Sequence, residues 1–145
     1  MNRKIKFRAW HPIDRKMYEV ASIDFFWGLV ELQWWQHNEK GVLVRRKVEE
    51  SIRGQVDNSV EDDVLDPIIM QFTEVLDFEG KDIYEGDIVV NKNPWNTKII
   101  SIPKVVTFEH GGFIGLDYDI FCEYPPLVIG NIYENPELTG GIKDE

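Results

Sequence analysis

Two acidic residues, Glu85 and Asp87, form the pair in this chain whose spacing could support chemistry. Carboxylates this close together serve as acid and base or as metal ligands. No third ligand stands at a telling distance from them, and the residues between and around them favour a structural role. Gly86 permits a bulge or a close approach of backbone, and Asp87 can accept hydrogen bonds from nearby amides. We therefore assign no catalytic or metal-binding role to the pair.

The histidines and the single cysteine form no recognisable site. His11, His37 and His110 are far apart in the sequence, whereas zinc sites usually show at least one close ligand pair. Cys122 is the only cysteine, so it has no intrachain disulfide partner. A lone cysteine is more often a small buried hydrophobe than a nucleophile. With no phosphate-binding loop and no nucleophile elbow either, we predict a protein that is not an enzyme and has no catalytic, cofactor-binding or metal-binding residues and no cofactor.

Aromatic residues that could stack on a base or fill an interface are concentrated in the first 35 residues: Trp10, Phe25, Phe26, Trp27, Trp34 and Trp35. Adjacent residues of a strand point to opposite faces, so one member of the pair Trp34–Trp35 and one of Phe25–Phe26 must find cover outside its own core. The acidic stretch from Arg45 to Asp66 has few large apolar side chains and would make a poor lid. We therefore predict a homo-oligomer with the N-terminal half at its interface.

Net charge argues against nucleic acid as a partner. The chain has 16 basic and 26 acidic residues, a formal charge of −10, which opposes sequence-independent binding to a phosphate backbone. The first sixteen residues nevertheless carry six basic side chains and one acid, and the segment Glu61–Asp87 carries ten acids and one base. Such clusters are usually solvated faces. A basic face that contacts phosphates, and an acidic decoy of nucleic acid, remain as alternatives.

Alternation of apolar and charged residues predicts short β-strands along most of the chain. From Ile5 to Trp10 it places the apolar side chains on one face and the basic ones on the other. A hairpin over residues 23–34 is expected to have its tip at Phe26–Gly28. The run from Ile83 to Val90 reads as a strand broken at Gly86. Further predictions are a strand at Ile99–Ile102 and, because glycine supplies positive φ, a hairpin turn at Glu109–Gly112.

The stretch from Arg45 to Asp66 is the least regular part of the sequence. Its valines and its isoleucine recur every four residues, which is close to the spacing of a helical stripe. Gly54 and Asp57, however, are poor helix formers. We expect a loop here that holds at most a short helix over Val48–Arg53.

Frequent turns between short strands, without long amphipathic helices, predict a mainly β fold. We expect a small sandwich or barrel of short antiparallel strands with little helix. Residues 1–66 would form an N-terminal β subdomain with an irregular acidic loop, and residues 67–145 a small β-barrel, the two together making one compact unit.

The sequence also bears on location. The basic N-terminus is not followed by an apolar run of signal-peptide length, and no apolar stretch approaches the roughly 20 residues needed to span a bilayer. A single cysteine suits a reducing compartment. We therefore expect a cytoplasmic protein without a membrane partner.

Four stretches, read in order, resemble the YopX-like proteins encoded by phages and prophages. They are Ile5–Trp10, Met70–Thr73, Gly80–Val89 and Val128–Leu138. The family usually continues its Met-Gln-Phe/Tyr-Thr element with Gly-Leu, whereas Glu74 and Val75 follow here. This departure leaves the type of turn after Thr73 open at the level of the sequence.

The resemblance implies a phage or prophage origin, a cytoplasmic location and a mostly β fold, and it brings no particular activity. The Gly-Asp-Ile-Val element at Gly86–Val89 also resembles the first strand of SH3-like small barrels, which implies an SH3-like barrel in the C-terminal half. We predict a non-enzymatic accessory protein that acts through contacts with itself and with an unknown host or phage protein. The alternative is a nucleic-acid-associated protein that uses the basic N-terminal face and a small β-barrel.

Overall fold

The computed structural model describes residues 3–56, 65–116 and 125–139, and most of their regular structure is antiparallel β-strand. The helical elements of these described residues are one short α-helix, α1 (Arg53–Val56), and one 3-10 turn (Pro136–Thr139). The prediction of a mainly β fold with little helix is confirmed. The strands are β1 (Phe7–His11), β2 (Lys16–Asp24), β3 (Leu29–His37), β4 (Leu43–Ser51), β5 (Ile68–Leu76), β6 (Asp82–Tyr84), β7 (Asp87–Asn91), β8 (Lys104–Val105), β9 (Thr107–Glu109), β10 (Gly112–Ile114) and β11 (Pro126–Asn131).

The chain divides into two compact units. Lys6–Met70 form one, called the N-terminal unit below, and Met1–Ile5 with Gln71–Glu145 form the other, called the C-terminal unit. Within the described ranges, no helix of either unit is long and apolar enough to cross a membrane.

The N-terminal unit is built on a meander in which each strand pairs with the next along the chain, in the order β4-β3-β2-β1. Alternation puts Ala9, Val30 and Leu32 on one face, where none of the three is exposed to solvent. A small hydrophobic core forms there, and the partly buried residues that pack against it are Tyr18, Val20, Ile23, Val56 and Ile69. Burial of this face fixes the register of the meander, since a slip of one residue would expose the whole set.

The prediction of a loop from Arg45 onward is wrong for residues 45–51. Residues 43–51 form β4 and pair with β3 over its full length, with Val48 opposite Leu32. The cause lies in the four-residue spacing of the hydrophobic positions. Four is close to the period of a helix, but it is also twice the period of a strand, so both structures place Val48 and Ile52 on one side. The helix lies further along the chain, at Arg53–Val56 rather than Val48–Arg53.

This same segment covers part of the core face. The expectation that it would make a poor lid concerned the aromatic residues outside the core, and Trp35 is indeed 59% exposed. Ile52 is 2% exposed and joins the core cluster. Its backbone N–H donates to the carbonyl of Gly28 at 2.7 Å. The Gln55 side chain then ties α1 down, because it donates to the Pro67 carbonyl at 2.6 Å and accepts from the Ile69 amide at 3.0 Å. Ile52 and Val56 of this segment therefore both pack against the core of the N-terminal unit.

The C-terminal unit contains a three-stranded sheet in the order β11-β7-β8 and a two-stranded hairpin of β9 and β10, and β6 pairs with the end of β5. Its core is formed by Ile83, Val89 and Val106. The break expected at Gly86 is present: β6 ends before it, β7 begins after it, and its φ is 82°. Only glycine takes such a φ without strain, so the break follows from the residue itself.

Other expectations for this unit are corrected. Ile99–Ile102 do not form a strand, and Ile99 makes an isolated bridge to Lys92. The hairpin turn predicted at Glu109–Gly112 is present, with Glu109 paired to Gly112, but the residues with positive φ are His110 and Gly111, at 52° and 82°, rather than the two glycines. No closed barrel exists in the described part of the chain, since β8 has two residues and pairs with β7 only at Ile88 and Val89.

Candidate interaction surface

The paired carboxylates at the entry to β7 support the backbone. Asp87 is 1% exposed, and its Oδ2 accepts the Tyr84 amide at 2.8 Å. Glu85 uses its Oε1 to accept the Gln71 amide at 3.0 Å. Both side chains therefore hold the bend between β6 and β7. This is the local role that Gly86-Asp87 suggested in the sequence.

The histidines do not come together. His11 is buried, its Nδ1 accepts the Asp14 amide at 3.2 Å, and its Nε2 lies 3.2 Å from Glu50 Oε1. His37 ends β3 and His110 lies in a turn, and both are exposed. Among residues 3–56, 65–116 and 125–139 no group of three or more His, Cys, Asp or Glu side chains could hold a metal ion. Cys122 lies outside the described residues.

The most exposed aromatic residues of the N-terminal unit lie in the turn between β2 and β3. Phe25, Phe26 and Trp27, called the aromatic turn below, are 67%, 85% and 64% exposed. Asp24 organises this turn, because its Oδ1 accepts the amides of both Phe26 and Trp27 at 3.0 Å. The rings of Phe26 and Trp27 meet edge to face with centroids 4.9 Å apart. The turn therefore presents its aromatic side chains to solvent in a defined arrangement.

Trp34 and Trp35 of β3 differ in their surroundings, as adjacent residues of a strand should. The Trp34 ring packs beside the Tyr18 ring with centroids 5.4 Å apart, whereas Trp35 is 59% exposed. A groove of about 380 Å³ runs here between residues 16–19 of β2 and 33–35 of β3. Burial, a hydrogen bond to Asp14 and the charge of that carboxylate together raise the pKa of Tyr18, whose hydroxyl donates to Asp14 Oδ2 at 2.8 Å.

The adjacency argument succeeds for one aromatic pair and fails for the other. Trp34 and Trp35 lie in a strand and separate as expected. Phe25 and Phe26 lie in a turn, where side chains do not alternate, and both are exposed. Sequence reasoning missed Asp24, although an Asp just before a turn is a known signal for side-chain acceptance of the following amides.

The basic N-terminal residues do not all present free charge. Arg3 forms an ion pair with Glu74 at 2.9 Å, and the Arg8 guanidinium contacts Met70 Sδ at 3.8 Å. Lys16, at the start of β2, is exposed. The basic face expected from the sequence is therefore weaker than the count of its residues suggests.

Comparison with known proteins bears on identity. No curated protein matches the chain. The crystal structure of protein EF1440 from Enterococcus faecalis is similar, with 27% sequence identity, a TM-score of 0.58, and coverage of 94% of this chain and 99% of that one. The family model described as YopX protein matches residues 6–139, which is nearly the whole sequence. The resemblance seen in the sequence is thus confirmed, and the chain belongs to the YopX protein family.

Proposed function

We propose that this chain is a cytoplasmic accessory protein of phage or prophage origin that works by binding proteins, including a second copy of itself, and catalyses no reaction. The observation that carries the proposal is the exposure of the aromatic turn, whose three side chains are each more than 60% accessible to solvent. Trp35 adds a fourth exposed aromatic side chain in the same unit.

An exposed aromatic turn of this kind is suited to a protein interface. Aromatic residues are enriched at interface cores, and Trp and Tyr dominate the energetic hot spots. Full burial of each such side chain is worth on the order of 2 kcal/mol. Because Asp24 already holds the amides of Phe26 and Trp27, the turn would lose little conformational freedom on binding. The aromatic turn therefore offers a partner both apolar area and a preformed shape.

The structural use of the reactive side chains supports a role without catalysis. Asp87 and Glu85 accept backbone amides, and His11 is buried between Asp14 and Glu50. The phage or prophage origin rests on the YopX-like resemblance, and the cytoplasmic location on that resemblance and on the single cysteine, which suits a reducing compartment.

A matched set of bait proteins tests the proposal in phage-infected cells. Wild-type protein should capture a protein partner that Phe26→Ser/Trp27→Ser does not, because that variant loses the two rings that contact each other in the turn. Trp95→Ser is the control, since Trp95 is 86% exposed but belongs to the C-terminal unit, and it should capture the same partner as wild type. Circular dichroism establishes that all three are folded. Identical captures by wild type and the double variant, or capture of nucleic acid alone, would overturn the proposal.

Self-association has its own test. Light scattering coupled to size exclusion, run over a dilution series, should give a mass above the 17.0 kDa of one chain. A mass of one chain at every concentration would show that the protein does not bind itself.

A further inference from the structure

The outermost strand of the N-terminal unit, β4, has an open edge. Within the described residues β3 is its one strand neighbour, and seven of its nine residues are exposed. A strand in this position presents a row of backbone N–H and C=O groups that can pair with another strand. At nine residues β4 is long for an edge strand, because natural proteins tend to shorten or cover such edges.

The charges along β4 change sign at its middle. Arg45, Arg46 and Lys47 precede Val48, and Glu49 and Glu50 follow it. Charged side chains usually protect an edge, since like charges meet when two copies approach. Here an antiparallel copy would bring the basic half of one strand beside the acidic half of the other. Charge therefore favours antiparallel self-pairing and opposes parallel pairing.

Symmetry and charge together select one register. In an antiparallel pair, residues that lie opposite each other have their side chains on the same face of the sheet. A two-fold axis normal to the sheet keeps every residue on its own face, so the axis must pass midway between the two copies of one residue. An axis at Val48 sets Arg46 opposite Glu50 twice and Lys47 opposite Glu49 twice. An axis at Lys47 sets two lysines together, and an axis at Glu49 sets two glutamates together. Like charges directly opposite each other are destabilising, which leaves the register centred on Val48.

Of the four side chains that would pair across the edge, Lys47 and Glu50 already have a neighbour in their own chain. Among the described residues, Arg46 and Glu49 form no ion pair, and Glu49 lies opposite the like-charged Glu31 of β3. Lys47 is 3.1 Å from Glu31 and is 38% exposed, so it can reach a second carboxylate across the edge. Glu50 meets His11 through Oε1 at 3.2 Å. A second copy would supply the cation that Glu49 lacks.

We propose that two copies of this chain pair through β4, antiparallel, with Val48 on the two-fold axis, so that the two N-terminal sheets continue into one. This deepens the self-association part of the proposed function and rests on it. The pairing uses no residue of the aromatic turn, which stays available for a different protein.

A charge swap tests the pairing. In an all-acidic variant, Arg46→Glu/Lys47→Glu, the four paired positions 46, 47, 49 and 50 are all glutamate, and in an all-basic variant, Glu49→Lys/Glu50→Lys, they are all basic. Each variant should dissociate at least about tenfold more readily than wild type, because four favourable cross-strand pairs become repulsive. An equimolar mixture of the two should restore a dimer, since each acidic position then faces a lysine or Arg46. Light scattering gives the masses, and circular dichroism and thermal melts establish that each variant is folded.

Single substitutions test the register. Arg46→Glu should weaken the dimer because it faces Glu50, whereas Arg45→Glu, with the same change in charge, faces the neutral Ser51 and should have little effect. An axis at Lys47 would reverse this order. In a Cys122→Ser background, Val48→Cys should oxidise to a covalent dimer, because the two thiols face each other across the axis. Val44→Cys is the control, since its two copies would lie about 27 Å apart, eight residues along the strand.

The outcomes separate this inference from the proposed function. Oligomers that survive in both the all-acidic and the all-basic variants would overturn pairing through β4 and leave self-association standing. A mixture that stays monomeric would also overturn it. A wild-type chain that is monomeric at every concentration would overturn both.

Discussion

Glu74 adopts a backbone conformation that side chains rarely take, with a φ of 70°. It lies in β5 where the pairing with β6 shifts register between Phe72 and Leu76, so the strand bulges here rather than turning. The Thr73 hydroxyl fits this bulge, because it donates to the Ile83 carbonyl at 2.8 Å and accepts the Val75 amide at 3.1 Å. The YopX-like element has glycine at the position of Glu74, and glycine takes positive φ without a steric cost. Glutamate in place of this glycine therefore leaves the backbone strained at position 74.

We expect Glu74→Gly to stabilise the protein by about 1 kcal/mol, since it relieves a left-handed conformation that costs roughly 1–2 kcal/mol for a side chain. The ion pair with Arg3 is lost as well, but the Arg3 side chain is 65% exposed and such pairs contribute little. Urea unfolding measures the difference. Glu74→Ala is the control, because it removes the same ion pair and keeps the strain. The expectation fails if the glycine variant is no more stable than the alanine variant.

Buried carboxylates explain part of the acidic segment Glu61–Asp87, which sequence reasoning treated as a solvated face. Asp77 is 7% exposed, and its Oδ1 accepts the amides of Glu79 and Lys81 while its Oδ2 accepts that of Val128. Asp77 therefore anchors the turn before β6 from inside, as Asp87 anchors the bend between β6 and β7. A buried carboxylate is stable when several amides hydrogen-bond to it, so acidity in the sequence does not by itself indicate exposure.

At the scale of elements, the turn between β2 and β3 touches the segment that closes the core. Gly28 has a φ of 65°, and a Cβ added to it would lie 2.9 Å from the Arg53 Cα and 2.5 Å from its Cγ. The carbonyl of Gly28 also accepts the Ile52 amide. Gly28 therefore both ends the aromatic turn and contacts Ile52 and Arg53, the residues that follow β4 and cover the core.

We expect Gly28→Ala to destabilise the protein by at least about 2 kcal/mol, because it adds a steric conflict with backbone to the cost of positive φ. Gly41→Ala isolates the second effect, since Gly41 has a φ of 76° with nothing within 4 Å of an added Cβ, and it should cost about 1 kcal/mol. Thermal and urea unfolding of both variants give the comparison. Equal losses would show that Arg53 moves aside freely and that the contact with Gly28 is not a constraint.

At the scale of the whole molecule, net charge is the property that discriminates between the two function classes. A charge of −10 repels a phosphate backbone, and the ion pair of Arg3 with Glu74 reduces the basic face further. Exposed aromatic side chains are compatible with either class, because they can fill a protein pocket or stack on bases.

We therefore expect no appreciable binding to duplex DNA near physiological ionic strength, about 0.15 M, as measured by anisotropy of a labelled duplex. The comparison is Lys4→Glu/Lys6→Glu/Arg8→Glu, which should leave this result unchanged. Tight binding by the wild type that weakens steeply with salt and disappears in the triple variant would establish the nucleic-acid alternative instead.

Much of the strand content could be predicted from local pattern. Alternation identified the strands around Ile5–Trp10 and Ile83–Val90, and turn chemistry located the break at Gly86, where the φ is 82°. The YopX-like motifs identified the family, which matches residues 6–139. These features depend on φ preferences, alternation of side chains and residue identity, all of which act within a few residues and can be read from the chain alone.

Tertiary structure decided what local pattern left ambiguous. The four-residue spacing of Val48 and Ile52 fits a helix and a strand equally, and the open edge of β3 resolved it in favour of β4. The candidate surface also depended on that packing: the tip at Phe26–Gly28 was predicted, but the position of Phe25 in the same turn and the exposure of both phenylalanines follow from the meander. Burial is a property of neighbours that are distant in the sequence. The order of residues along the chain therefore specified the strands, and the contacts between strands decided which side chains remain on the surface.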